Sequence, residues 1–183
     1  SVTSSVASVI VLPDLSVSLL RLNDIWRFND SGADLGTTWK EIDYPDNTWP
    51  EGAGVLANEN NNAITPLTNT ILSLTNSSGG RIITYYFRTT FVYTNEPGAF
   101  YLSFSNLVDD GAVVYLNGQE LYRVTMPNTP INASTLAATY ATEGVFQITN
   151  FMPSTLVQGT NYLAVEVHQN TNTSSDIVFG MAL

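Results

Sequence analysis

The chain has 183 residues, 44% hydrophobic and 12% charged, with six Lys and Arg against sixteen Asp and Glu, a formal net charge of -10 and no cysteine. That apolar fraction supports a buried core and excludes disorder, while the missing cysteines exclude disulfides, thiol catalysis and cysteine-held zinc. The acidic surface repels phosphate backbones and anionic membranes, so nucleic acid and membrane insertion are excluded as modes of action.

In chain order, residues 1–21 read as an N-terminal arm or strand. They are moderately apolar from Val6 to Leu20 but interrupted by Pro13 and Asp14, and no run reaches the roughly 18 apolar residues of a membrane span. Residues 22–183 read as one domain, with no internal repeat and no linker. Its first half is irregular. Residues 58–80 are rich in Asn, Thr, Ser and Gly and predict a long loop: either a binding edge or a solvated crossover between sheets.

The second half alternates at period two, the mark of half-buried strands. Phe87, Thr89, Phe91 and Tyr93 share one face, as do Phe100, Leu102 and Phe104. Leu163, Val165 and Val167 alternate with Ala164, Glu166 and His168, and Ile177, Phe179, Met181 and Leu183 close the chain in the same rhythm. Turn residues separate these runs at Asn95-Glu96-Pro97-Gly98, Asp109-Asp110-Gly111 and Gln158-Gly159-Thr160-Asn161. Asn117-Gly118 between two β-rich runs predicts a type I′ hairpin that directs Val114, Leu116 and Leu121 into a core. No apolar pattern has helical spacing, although one turn near Leu136 to Tyr140 is compatible with the sequence. The expected fold is all-β, an antiparallel β-sandwich of jelly-roll type with about eight core strands.

Several segments, in order, resemble one family: Trp39-Lys40-Glu41-Ile42-Asp43-Tyr44-Pro45-Asp46-Asn47-Thr48-Trp49, Tyr85-Tyr86-Phe87-Arg88-Thr89-Thr90-Phe91, Asp109-Asp110-Gly111-Ala112-Val113-Val114-Tyr115-Leu116-Asn117-Gly118, Asn161-Tyr162-Leu163-Ala164-Val165-Glu166-Val167-His168-Gln169 and Ser174-Ser175-Asp176-Ile177-Val178-Phe179. Over residues 22–183 the chain resembles the galactose-binding-domain-like jelly rolls appended to large secreted bacterial proteins. That resemblance implies an extracellular or cell- or virion-surface setting. It does not fix a function, because such folds host sugar binders, adhesion modules, enzyme accessory domains and virion components.

Four residues are the ligand-binding candidates: Trp26, Asp109, Asp110 and Tyr140. An indole or phenol face stacks on the C–H face of a pyranose, but a Trp is equally a core residue. The resemblance places Trp39 and Trp49 in the framework and leaves Trp26 open between the two roles. Asp109 and Asp110 offer hard oxygens to calcium or to sugar hydroxyls; as turn residues they would instead accept local N–H groups, with Gly111 supplying a positive φ. Asp30 and Asp34 form a weaker calcium candidate without EF-hand spacing. Glu166 and His168 share a strand face and suit either an acid–base pair or a structural pair. Asn29, Asn76, Asn132 and Asn172 begin Asn-x-Ser/Thr triplets, read here as ordinary polar surface.

The sequence therefore predicts a non-catalytic recognition module for carbohydrate or a glycan-bearing surface, with no catalytic residues, no certain cofactor and calcium as the one considered. The second reading is a structural or assembly subunit, homo-oligomeric or packed on neighbouring protein subunits through the N-terminal arm.

Overall fold

The computed structural model describes residues 16–95 and 101–183. Most of the expected arm (residues 1–15), Phe100 and the turn residues Glu96, Pro97 and Gly98 lie outside the described residues. Among the described residues there are eleven strands: β1 (Ile25–Asn29), β2 (Glu51–Ala53), β3 (Leu56–Asn58), β4 (Thr70–Ile71), β5 (Thr84–Tyr93), β6 (Leu102–Asp109), β7 (Gly111–Leu116), β8 (Gln119–Val124), β9 (Gln147–Phe151), β10 (Gly159–His168) and β11 (Ile177–Ala182). They form two sheets, ordered β2-β1-β5-β10-β7-β8 and β4-β3-β11-β6-β9, antiparallel except for the β3–β4 pair. The sandwich is the predicted one. It exceeds the eight expected strands because β2, β3 and β4 have two or three residues each, too few to leave a period in the sequence.

The alternating residues meet between the sheets. Phe87, Phe91, Val114, Leu116, Leu163, Val165 and Val167 from the six-stranded sheet pack on Phe104, Ile177, Phe179 and Met181 from the five-stranded one. At the centre the Phe87 and Phe179 rings stack at 4.1 Å between centroids. The Asn117-Gly118 hairpin forms as predicted, with φ of 51° and 83°. That double positive φ is what a type I′ turn requires, and Gly118 adopts it without a Cβ penalty.

The outer faces of both sheets are covered as well. On the six-stranded sheet, residues 35–49 lay Trp39 against Tyr86 and Tyr115, with Tyr44 and Trp49 packed alongside. Arg88 pins this flap. Its Nε donates to Asp46 Oδ2 at 2.6 Å and its Nη1 to the Trp39 carbonyl at 2.5 Å, while Arg27 donates to the other Asp46 oxygen at 2.6 Å. Burial alone would raise the Asp46 carboxyl, but the hydrogen bonds and charges of Arg88 and Arg27 outweigh it and hold the group below its ordinary value. On the five-stranded sheet, Ile64 and Leu67 pack against Val55, Ala57, Leu107 and Val178.

The segment 58–80 is therefore not a structureless loop. It carries a single 3-10 turn (Thr65–Leu67) and β4, and it buries Ile64 and Leu72. The helical turn considered at Leu136 to Tyr140 is absent, and those residues run as irregular chain. Three of the Asn-x-Ser triplets are turn chemistry: the side-chain oxygens of Asn29, Asn76 and Asn132 accept N–H groups two residues on. Residues 19–20 lie on the end of the last strand, where both N–H groups donate to the Leu183 carbonyl.

Candidate functional site

β6 belongs to one sheet and β7 to the other, and Asp110 alone connects them. The chain therefore turns a corner between sheets at Asp109-Asp110-Gly111, through a cis peptide between the two aspartates. Both residues, predicted in a turn, are buried, Asp109 to 4% and Asp110 to 5% exposure. Gly111 does not supply a positive φ; it begins β7. A Cβ there would meet Met126 Sδ and Ala137 Cβ at 2.7 Å, so close packing is what requires glycine.

The corner is the floor of a cleft of about 650 Å³. Its walls are Asn61, residues 140–143, Asn170 and residues 173–176. Three of the four predicted ligand residues, Asp109, Asp110 and Tyr140, meet in it. Tyr140 stands at the mouth, 71% exposed. Asn61 Nδ2 donates to Glu143 Oε2 at 2.8 Å and ties two of the walls together.

Sequence reasoning missed two acids that gather beside Asp109, Asp176 in the cleft wall and Glu59 next to it. Glu59, Asp109 and Asp176 each offer a carboxylate oxygen, and these oxygens lie within 4.8 Å of one another. The sheet order explains the convergence. Glu59 follows β3, Asp176 precedes β11 and Asp109 ends β6; those three strands are antiparallel neighbours, so all three acids fall at the same end. Burial, then the charge of Asp110, then the carboxyl–carboxyl contact between them push Asp109 up to about 8, with Asp176 and Glu143 adding further negative charge.

Trp26, the fourth predicted ligand residue, lies elsewhere. It is wholly buried on β1, edge-on to Phe179 at 4.8 Å, and its ring offers no face to a sugar. Asp30 and Asp34 do not converge. Asp30 Oδ2 accepts the Ser73 N–H and Asp34 Oδ1 the Gly36 N–H, both at 2.8 Å, so each carboxylate serves a loop.

Glu166 and His168 are neighbours, with His168 Nε2 3.2 Å from Glu166 Oε2. Tyr115 donates its hydroxyl proton to Glu166 Oε1 at 2.6 Å. His168 Nδ1 faces the Thr135 carbonyl at 2.8 Å; a carbonyl only accepts, so Nδ1 carries a proton. All three side chains are buried. His168 and Thr84 staple residues 133–135 to the sheet, through the Thr135 carbonyl and, from Thr84 Oγ1, the Ala133 carbonyl.

No protein-family model matches this chain, and no curated protein matches it by sequence. Solved structures do match its fold. A Bifidobacterium dentium beta-glucuronidase complexed with coumarin-3-O-glucuronide superposes with a TM-score of 0.51 at 18% identity, over 86% of this chain and 21% of that one. A Bacteroides uniformis beta-glucuronidase gives 0.51 at 16% identity, over 91% and 18%. A beta-glycosidase from Bacteroides vulgatus gives 0.50 at 14% identity, over 91% and 20%. The chain thus spans about a fifth of the length of these structures, and the likeness is one of fold: an all-β sandwich. Among the described residues no helix is long and apolar enough to cross a membrane.

Proposed function

We infer that this chain is a non-catalytic carbohydrate-recognition module working outside the cell or on a cell or virion surface, and that the cleft over Asp109 and Asp110 is its binding site. The observation that carries the reading is the convergence of Asp109, Asp110 and exposed Tyr140 on one cleft. A phenol ring can cover the apolar face of a pyranose, and the Asn61, Thr142 and Thr173 side chains can bond its hydroxyls. The fold likeness to portions of beta-glucuronidases lends support. The cleft lining carries acids and no Lys or Arg, so a neutral or amino sugar suits it better than a uronate.

Affinity electrophoresis through neutral polysaccharides tests the reading. Wild type should be retarded, and Tyr140→Ala should weaken binding about tenfold, as loss of one stacking contact does, with an unchanged melting temperature. Equal mobility of wild type and variant in every polysaccharide would sink it.

A second reading, assembly with another protein surface, draws on β9. This outer strand exposes Ile148, and Val145, Phe146 and Met152 beside it are exposed too. Unpaired apolar edges favour strand addition. Light scattering on the full chain and on a truncation lacking residues 1–15 separates the two: an assembly subunit self-associates through its arm, and a monomer in both forms argues for the sugar reading.

A further inference from the structure

We propose that Glu59, Asp109 and Asp176 hold one divalent cation beside Asp109 at the edge of the cleft, and that the ion is calcium. Three acids near one another are not in themselves a site. Two further observations point to a ligand here. Asp109 is a buried residue, 4% exposed, and among the described residues no N–H or hydroxyl donates to its carboxyl, which lies against that of Asp110. Glu59 Oε2 is shut off from solvent and has no hydrogen-bond partner among the described residues. A buried carboxylate oxygen without a donor is costly, and cation coordination is one of the few ways to satisfy it.

The surroundings hold the oxygens for that purpose. Glu59 Oε1 accepts the N–H groups of Asn60 and Asn61, which turns Oε2 inward. Asp176 Oδ1 accepts the Ser174 hydroxyl at 2.8 Å. Asp110 Oδ2 is occupied by the Asn170 N–H at 2.9 Å, so Asp110 contributes negative charge more than a ligand atom. No Lys or Arg lines the cleft to neutralise these acids.

The donor set selects the ion. The convergent donors are all carboxylate oxygens, hard ligands that favour calcium or magnesium over zinc or copper. Three protein carboxylates within 4.8 Å of one another exceed the one or two that magnesium usually takes and suit the more adaptable shell of calcium. Positions facing the cleft remain for water or sugar hydroxyls.

The site stands whether or not a sugar binds, and calorimetry tests it alone. EDTA-treated wild-type protein titrated with calcium chloride should take up one ion per chain and melt about 5 °C higher when saturated. Magnesium chloride should bind at least tenfold more weakly. Glu59→Gln and Asp176→Asn should each weaken calcium at least tenfold while keeping the wild-type circular dichroism spectrum; Asp34→Asn should leave it unchanged. Absence of heat and of any melting shift at millimolar calcium in wild type would overturn the proposal, as would undiminished binding by the Glu59 and Asp176 variants. Calcium uptake without polysaccharide retardation would remove the sugar reading and leave the metal; retardation without calcium uptake would do the reverse.

Discussion

Replacing Arg88 with Ala should cost about 3–5 kcal/mol of folding stability, the range found when one partner of a buried ion pair is removed. The guanidinium is 3% exposed and serves two acceptors at once, Asp46 Oδ2 and the Trp39 carbonyl. Without it the carbonyl is orphaned under the flap, and Asp46 keeps only the more exposed Arg27. The loss should also depend on pH. A carboxyl held below its unfolded value contributes stability that is present above the unfolded pKa and lost as pH falls through the folded one. Asp46 is such a group in the wild type and less so in the variant. Urea melts should therefore show a constant gap between the two proteins near neutrality that narrows as pH falls below about 5. A gap that stayed constant there too would mean that Arg88 acts only through packing and the Trp39 carbonyl.

Trp26→Ala should be as damaging, at about 3–5 kcal/mol, or on the order of 10 °C in melting temperature for a chain of this size. The indole fills the sandwich against Phe179, and neighbours on two sheets cannot collapse fully into the space. Its Nε1 has no hydrogen-bond partner among the described residues, so no polar contact among them is lost, and Trp26→Phe should recover most of the deficit. Sugar binding by the folded fraction of either variant should match wild type, because Trp26 is remote from the cleft. Differential scanning calorimetry with affinity electrophoresis at 10 °C checks both halves. A fully stable Trp26→Ala that has lost a sugar would return this residue to the binding surface.

These two residues also mark what a single sequence discloses. The strands β5, β10 and β11 were legible because each repeats an apolar residue at every second position, and the hairpin because Asn117-Gly118 has few alternatives to a type I′ turn. Trp26 was ambiguous because stacking on a sugar and packing in a core ask for the same side chain; only its neighbours decide. Arg88 and Asp46 carry no local signal, being 42 residues apart and joined by a flap without periodicity. The cleft was half legible. Asp109, Asp110 and Tyr140 are visible as polar or aromatic residues beside turns. Glu59 and Asp176 become partners of Asp109 only through the order β3-β11-β6. A hint existed, since each of these acids abuts the end of an apolar strand, but without knowing which strands are neighbours it could not be read.

The corner at Asp109 and Asp110 has an evolutionary corollary. The same two residues carry the chain from one sheet to the other and present its acids to the cleft. On the proposed function, selection on the architecture and selection on the ligand act on a single dipeptide. Drift toward a new ligand would then have to proceed through the walls, in residues 140–143, Asn170 and residues 173–176, while the floor stayed as it is. Relatives with different specificities should then share the acidic corner and differ around it.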